Sequence, residues 1–234
     1  MPLPRLTRRV TNPGKENYSH IWCKMEYRDL MGSAGTATVV TVDGRRARAV
    51  KTREAIVDAA IALLDSGDLK PTAASIASQA GLSVRSVFQH FADLEDLFVA
   101  VSDRQTNRVA RLYTGTNYDG DLPSRIDVFV NYRSNLYETI APIRRAAMLQ
   151  EPFSRIVAER LELARNLHRF DVERAFGPEL NVARAGGDNR LGDTIAAFCT
   201  FQVWDEMRRF SGYDVATATA EMRRVVCALL QPFA

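Results

Sequence analysis

The stretch TAASIASQAGLSVRSVFQHFADLEDLF, residues 72–98, gathers the side chains of this chain best suited to reading a nucleic acid. Arg85 and Gln89 can make paired hydrogen bonds to base edges, while Thr72, Ser83, Ser86 and His90 offer groups that hold phosphate oxygens. That chemistry requires a rigid element narrow enough to enter a groove. Thr72 can cap a helix opening at Ala73, with Ala73, Ile76, Ala77 and Ala80 on one face. Gly81 supplies the left-handed residue that ends it, and Ser83 caps a second helix two residues later. In that helix Val87, Phe88 and Phe91 are expected to pack inward, leaving Val84, Arg85, Ser86, Gln89 and His90 wholly or partly outward. Another helix start follows at Ala92-Asp93. Ordinary helical hairpins share these features, so the flanks must decide.

Upstream, residues 52–66 (TREAIVDAAIALLDS) predict a helix capped by Thr52, with Glu54 near its positive end and Ile56, Ala60, Leu63 and Leu64 as its buried stripe. Three helices of this length make a complete headpiece. Here the sequence resembles the TetR family of transcriptional regulators. The resemblance rests on Arg53, Ile56, Ala59 and Ala60, then on Thr72, Ile76, Ala77, Ala80 and Gly81. Ser83, Ser86, Phe88, His90, Phe91 and Asp96-Leu97 continue it, and the run covers roughly residues 50–98. Three positions depart from the family. Phe88 stands where a tyrosine is usual and keeps only the packing ring; Leu94 replaces a backbone-touching lysine; Arg85 occupies a position that is often glycine. The departures imply altered DNA affinity or specificity, with the headpiece retained.

Charge points the same way. Residues 1–54 hold 11 Lys/Arg against five Asp/Glu, whereas the remainder holds 20 against 23. Arg45, Arg46, Arg48, Lys51 and Arg53 cluster just before the expected first helix, placed to neutralise phosphates or enter a minor groove as an arm. A solvated flexible tail is the bland alternative. Residues 1–44 lack a sustained helical period and are expected to be a poorly ordered extension, with one short helix possible over residues 18–31. Met31-Gly32-Ser33 reads as a natural chain start, so the working protein is expected to begin at Met31 or Met25.

With 46% hydrophobic residues in 234, the chain can bury one substantial core or two small ones, and few alternating β-like runs occur. Three widely spaced cysteines, Cys23, Cys199 and Cys227, make a disulfide framework unexpected and suit a reducing cytoplasm. No apolar run approaches the ~20 residues needed to span a bilayer.

The expected architecture is all-α: an extension over residues 1–44, a helix-turn-helix DNA-binding domain over 45–98, and a helical ligand-binding and dimerisation domain over 99–234. Helices are predicted at 93–113, 123–139, 141–149, 154–176, 191–210 and 214–230, punctuated by Pro142, Pro152, Pro178 and Gly186-Gly187. The last two carry broad apolar surfaces that include Phe201, Trp204, Met222, Val226 and Leu229. One chain is not expected to cover both, which suggests a four-helix interface between two copies. The TetR resemblance also implies a homodimer and a small-molecule effector held among the central helices, whose binding releases DNA. Candidate pocket walls are Phe129, Tyr132, Tyr137, Met148, Phe170 and Phe198, with Arg133 or His168 as polar anchors.

An enzyme finds no support. The three histidines lie at no metal-ligand spacing, and Gly-rich phosphate loops, nucleophile elbows and His-Glu-x-x-His runs are missing. Neither metal nor cofactor is expected. The surviving alternative to an effector-released repressor is a dimeric architectural DNA-binding protein without an effector.

Overall fold

The computed structural model describes residues 44–114 and 116–233, and all regular structure among them is helical. The expected short helix over 18–31 and the start at Met25 or Met31 lie outside the described residues. Among the described residues nine α-helices run in order: α1 Gly44–Asp65, α2 Ala73–Ala80, α3 Val84–His90, α4 Leu94–Thr114, α5 Leu122–Gln150, α6 Arg155–Ala185, α7 Leu191–Phe198, α8 Phe201–Arg209 and α9 Val215–Leu230. A 3-10 turn at Gln231–Phe233 follows.

Short polar side chains set most of the helix starts. Asp121, Ser154, Thr200 and Asp214 each accept a hydrogen bond from the backbone N–H three residues on, capping α5, α6, α8 and α9. Asp93 does the same for α4, accepting from the Asp96 N–H at 2.8 Å, while Asp96 accepts from the Ala92 N–H at 3.2 Å.

Four boundaries differ from expectation. The first helix begins eight residues early, at Gly44, because the Arg-, Lys- and Ala-rich run before Thr52 favours helix and contains no breaker. Thr52 is therefore no cap, and its hydroxyl instead donates to the Arg48 carbonyl at 2.9 Å. Helix α5 runs through Pro142 without a break. Proline costs it one backbone hydrogen bond, but packing on both sides of that position holds the rod together. Helix α6 likewise passes Pro178, bending at Phe176 (φ −127°, ψ 17°) where an end was expected, and stops at Gly186-Gly187. The predicted helix over 191–210 is two helices, divided at Cys199-Thr200.

Two hydrophobic cores result. In the headpiece, Ile56, Ala60, Leu64, Ile76, Ala77, Val87, Phe91, Leu97 and Val101 pack together, joined by Ala146 from the far end of α5. In the body, Phe129, Tyr137, Phe176, Leu180, Ile195, Phe201, Trp204, Met222, Val226 and Leu230 form the larger core. Phe129 meets Phe176 edge-on with ring centres 5.1 Å apart, and Tyr137 meets Phe201 in the same manner at 5.7 Å.

The body core corrects the reasoning behind the dimer expectation. A single chain does cover Phe201, Trp204, Met222 and Val226; Trp204 keeps 1% of its surface open. Leu229 is partly buried against the same cluster. Splitting the long helix at Thr200 turns α8 so that its apolar side faces α5 and α9 within the chain. The large apolar side chains left open near that end are Phe198, Phe210, Tyr213 and Val215.

Glu138 on α5 fastens α8 in place: it accepts from the Trp204 indole N–H and from Arg208 Nε, both at 2.9 Å. The Arg208 guanidinium holds this carboxyl below the usual carboxylate range. Its contribution is therefore present above the unfolded carboxylate range and is lost as pH falls through the folded value. Glu138→Gln should lower stability near neutral pH by no more than about 1 kcal/mol, since the carboxylate stays partly in solvent. Urea unfolding of both proteins should show that gap closing as pH drops below about 4.

Candidate functional site

The α2-turn-α3 unit is built by hydrogen bonds local to the sequence. Thr72 Oγ1 accepts from the Ser75 N–H at 3.1 Å, and Ser75 Oγ accepts from the Thr72 N–H at 2.9 Å, a reciprocal box that starts α2. Gly81 takes φ 67° and ends it, with the Leu82 N–H donating to the Ala77 carbonyl at 2.9 Å. Ser83 Oγ then accepts from the Ser86 N–H at 3.1 Å to start α3. Val87 and Phe91 plug α3 into the headpiece core.

The outward side of α3 is then fixed. Val84, Arg85, Phe88 and Gln89 are exposed, whereas Ser86 and His90 are half-buried. Phe88 corrects an expectation: 48% of it is open, so its ring does not pack inward and instead sits beside Arg85 and Gln89. Val87 at the next position already fills the core site. Leu94 is partly buried against the headpiece core, in keeping with a residue that packs.

The basic cluster is a helical arm. Arg46, Arg48 and Lys51 are exposed on the first two turns of α1 and make no salt bridge among the described residues. Arg53 lies where α1 passes the end of α3, its guanidinium 4.5 Å from the centre of the Phe91 ring. Thr72 is exposed at the start of α2. The described geometry thus brings Arg53, Thr72 and the α3 residues onto one small headpiece, with Arg48 and Lys51 extending from it.

In the body, the proposed pocket residues divide. Phe129 and Tyr137 are core, and the Tyr137 hydroxyl donates to the Cys199 carbonyl at 2.5 Å. Phe170 and Phe198 are exposed, so neither walls an enclosed pocket; Phe198 lies at the end of α7, just before the break that reorients α8. Met148 packs against the body core from its edge, and Tyr132 is half-buried with its ring 5.4 Å from the Arg133 guanidinium.

Arg133 and His168 do lie together, within a buried polar cluster. Arg133, 3% exposed, donates through Nη2 to Asp171 Oδ2 at 2.6 Å and to the His168 carbonyl at 3.3 Å. Asp171 also accepts from the Tyr118 hydroxyl at 2.9 Å. Burial raises the Asp171 carboxyl above its ordinary range, with Arg133 opposing the shift. Spacing in the sequence does not place Asp171 or Tyr118 here. An arginine at 133 within the buried face of α5 is the available signal. Among the described residues no group of three or more His, Cys, Asp or Glu side chains could hold a metal ion, and no helix is long and apolar enough to cross a membrane.

Three comparisons bear on this geometry. The profile of the tetR family of bacterial regulatory proteins matches residues 56–101, which runs from α1 into α4. The crystal structure of a transcriptional regulator from Rhodococcus sp. Rha1 is similar to this fold with a TM-score of 0.59 and 14% sequence identity. The match covers 79% of this chain and 96% of that one. No curated protein matches the sequence.

The turn between α2 and α3 depends on a backbone conformation that side-chained residues rarely adopt, although nothing lies within 4 Å of where a Cβ on Gly81 would project. Gly81→Ala should therefore cost about 1 kcal/mol through strain alone, without a clash. Chemical denaturation should show the loss, and Gly81→Asn should recover part of it because Asn tolerates the left-handed region.

Proposed function

We propose that this chain, which belongs to the tetR family of bacterial regulatory proteins, is a homodimeric cytoplasmic repressor that leaves a near-palindromic operator when a small molecule binds its body. The observation that carries the DNA-contact assignment is the exposed side of α3. A seven-residue helix is about 10 Å long, a length the major groove accommodates. Arg85 and Gln89 supply bidentate hydrogen bonds to guanine and adenine edges, while Val84 and Phe88 supply apolar contacts suited to a thymine methyl. Thr72, Ser83, Ser86 and His90 grip phosphates at the edges, and Arg48, Lys51 and Arg53 add charge along the backbone.

Dimerisation is supported by what the chain leaves uncovered at the α8–α9 end. Phe210 is 69% exposed, with Tyr213 and Val215 open beside it in sequence. A second copy covers such residues by symmetry and brings two headpieces to two half-sites spaced by about one helical turn or a multiple. The body is coupled to the headpiece through α4: Gln105 donates to the Thr139 carbonyl at 2.9 Å, Arg160 pairs with Asp103 at 2.7 Å, and Ser154 donates to Glu95. An effector that prefers a different arrangement of α4 shifts the protein away from DNA.

Selection of bound sequences from random DNA should return a near-palindrome; an asymmetric site contacted by one protomer would refute the dimer. Arg85→Ala and Gln89→Ala should each cost about 1–3 kcal/mol in operator binding and relax base preference, whereas Lys51→Ala should weaken all sequences alike and lower the salt slope by about one. Sedimentation of a Phe210→Asp, Val215→Asp variant should give a folded monomer with little operator affinity.

A further inference from the structure

Helix α3 turns two kinds of side chain toward solvent. Among the described residues of α1 to α4, the exposed large apolar side chains are Val50, Val84 and Phe88, and two of these three belong to α3. Val84 and Phe88 are four residues apart, so they are neighbours one turn apart on the same face of the helix. Val84 is 41% exposed and Phe88 48%, which leaves close to half of each side chain open to a partner. The headpiece does not need either of them, because Val87 and Phe91 already anchor α3 in the core. Arg85 and Gln89 repeat the spacing one position on; both are exposed, and neither makes a salt bridge among the described residues. An apolar strip therefore runs alongside a polar one.

The two strips match one base step. Arg85 and Phe88 are three residues apart, about 4.5 Å along the helix axis, against a spacing of about 3.4 Å between successive bases of a strand. When Arg85 holds a guanine through O6 and N7, the apolar strip of a helix lying along the groove falls on the neighbouring base. The group an apolar side chain can cover there is a methyl, which in the major groove stands on C5 of thymine. Val84 and Phe88 have no hydrogen-bonding side-chain atom, so they do not sense whether C4 bears the oxygen of thymine or the amino group of cytosine. The C5 methyl is then the whole signal, and 5-methylcytosine carries the same methyl at the same place.

We propose, resting on the DNA-contact reading above, that Val84 and Phe88 clamp the C5 methyl of a pyrimidine beside the guanine held by Arg85, and that the clamp accepts thymine and 5-methylcytosine alike. Cytosine methylation thereby becomes a switch on this regulator. A half-site with cytosine at that position is bound weakly until the base is methylated, because only then does the apolar strip have a group to cover.

The test uses the full-length protein and an operator obtained by selection from random DNA, with binding read by fluorescence anisotropy at one fixed salt concentration. Each thymine is replaced in turn by deoxyuridine, which removes only the methyl; the position that responds is then made cytosine or 5-methylcytosine, with guanine opposite. At a thymine beside a guanine, deoxyuridine should weaken binding about fourfold per half-site, the loss that goes with one buried methyl. Cytosine should bind no better than deoxyuridine, and 5-methylcytosine should recover most of the affinity of thymine. The Val84→Ala, Phe88→Ala variant, altered only at exposed positions, should bring the thymine-to-deoxyuridine ratio close to one, and Arg85→Ala should remove the preference for the adjacent guanine. Equal binding of thymine and deoxyuridine at every position, cytosine and 5-methylcytosine bound alike, a methyl effect away from the guanine that Arg85 reads, or one that persists in the double variant would each overturn the clamp and leave α3 as the DNA reader. A selection that returns no sequence preference, or a preference unchanged by Arg85→Ala and Gln89→Ala, would overturn the DNA-contact reading itself.

Discussion

Helix α5 belongs to two hydrophobic cores at once. Its first six turns bury Ile126, Phe129, Val130, Tyr137 and Ala141 in the body, and its last turns carry Ile143 and Ala146 into the headpiece. A helix is a stiff rod held by consecutive backbone hydrogen bonds, so neither end can shift without either moving the other or bending between them. The position at which bending is cheapest is Pro142, where a bond is already missing, and it lies between the two sets of buried residues. Close packing makes each core intolerant of gradual deformation, and a rod joining two such cores therefore favours discrete arrangements over a continuum.

Charge inside the body serves the same rod. Arg125 forks onto Glu179, donating to Oε1 at 2.5 Å and Oε2 at 3.0 Å, and also donates to the Ala175 carbonyl at 2.6 Å. That carbonyl lies one residue before the bend of α6, so the arginine ties α5 to the kinked segment. Two turns further along α5, Arg133 makes the analogous pair with Asp171. Buried ion pairs add little net stability over an apolar replacement, but a misregistered pairing would leave two charges uncompensated. The two pairs, eight residues apart on each helix, thus fix how α5 and α6 slide against each other and leave α5 one register to hold.

The headpiece was legible in the sequence because its determinants are local. A threonine, a glycine and a serine at 72, 81 and 83 act within three or four residues of themselves, and each does what its chemistry dictates. The body was less legible because its determinants are distant. Pro142 and Pro178 read as stops, yet tertiary packing carried both helices past them; Thr200 and Cys199 gave a weak break that one apolar run concealed. Trp204 and Met222 looked like surface for a partner only because sequence periodicity cannot say which chain covers an apolar face. Arg133 reads as a polar anchor from the sequence, but spacing does not pair it with Asp171, 38 residues away.

On the proposed DNA-contact assignment, the two losses in the reading unit and the gain before it are one adjustment. Phe88 brings no hydroxyl and Leu94 no charge, so α3 and the start of α4 grip the phosphate backbone less than the family pattern implies. Helix α1 restores cationic charge through its early start, since Arg46, Arg48 and Lys51 ride on turns continuous with the headpiece. Flexible basic arms lose conformational freedom when they bind, whereas side chains on a formed helix have already had their backbone ordered during folding. Charge placed on α1 therefore contributes to binding at a smaller entropic cost than the same charge on a tail. It also frees position 88 for an exposed ring that can discriminate among bases by apolar contact.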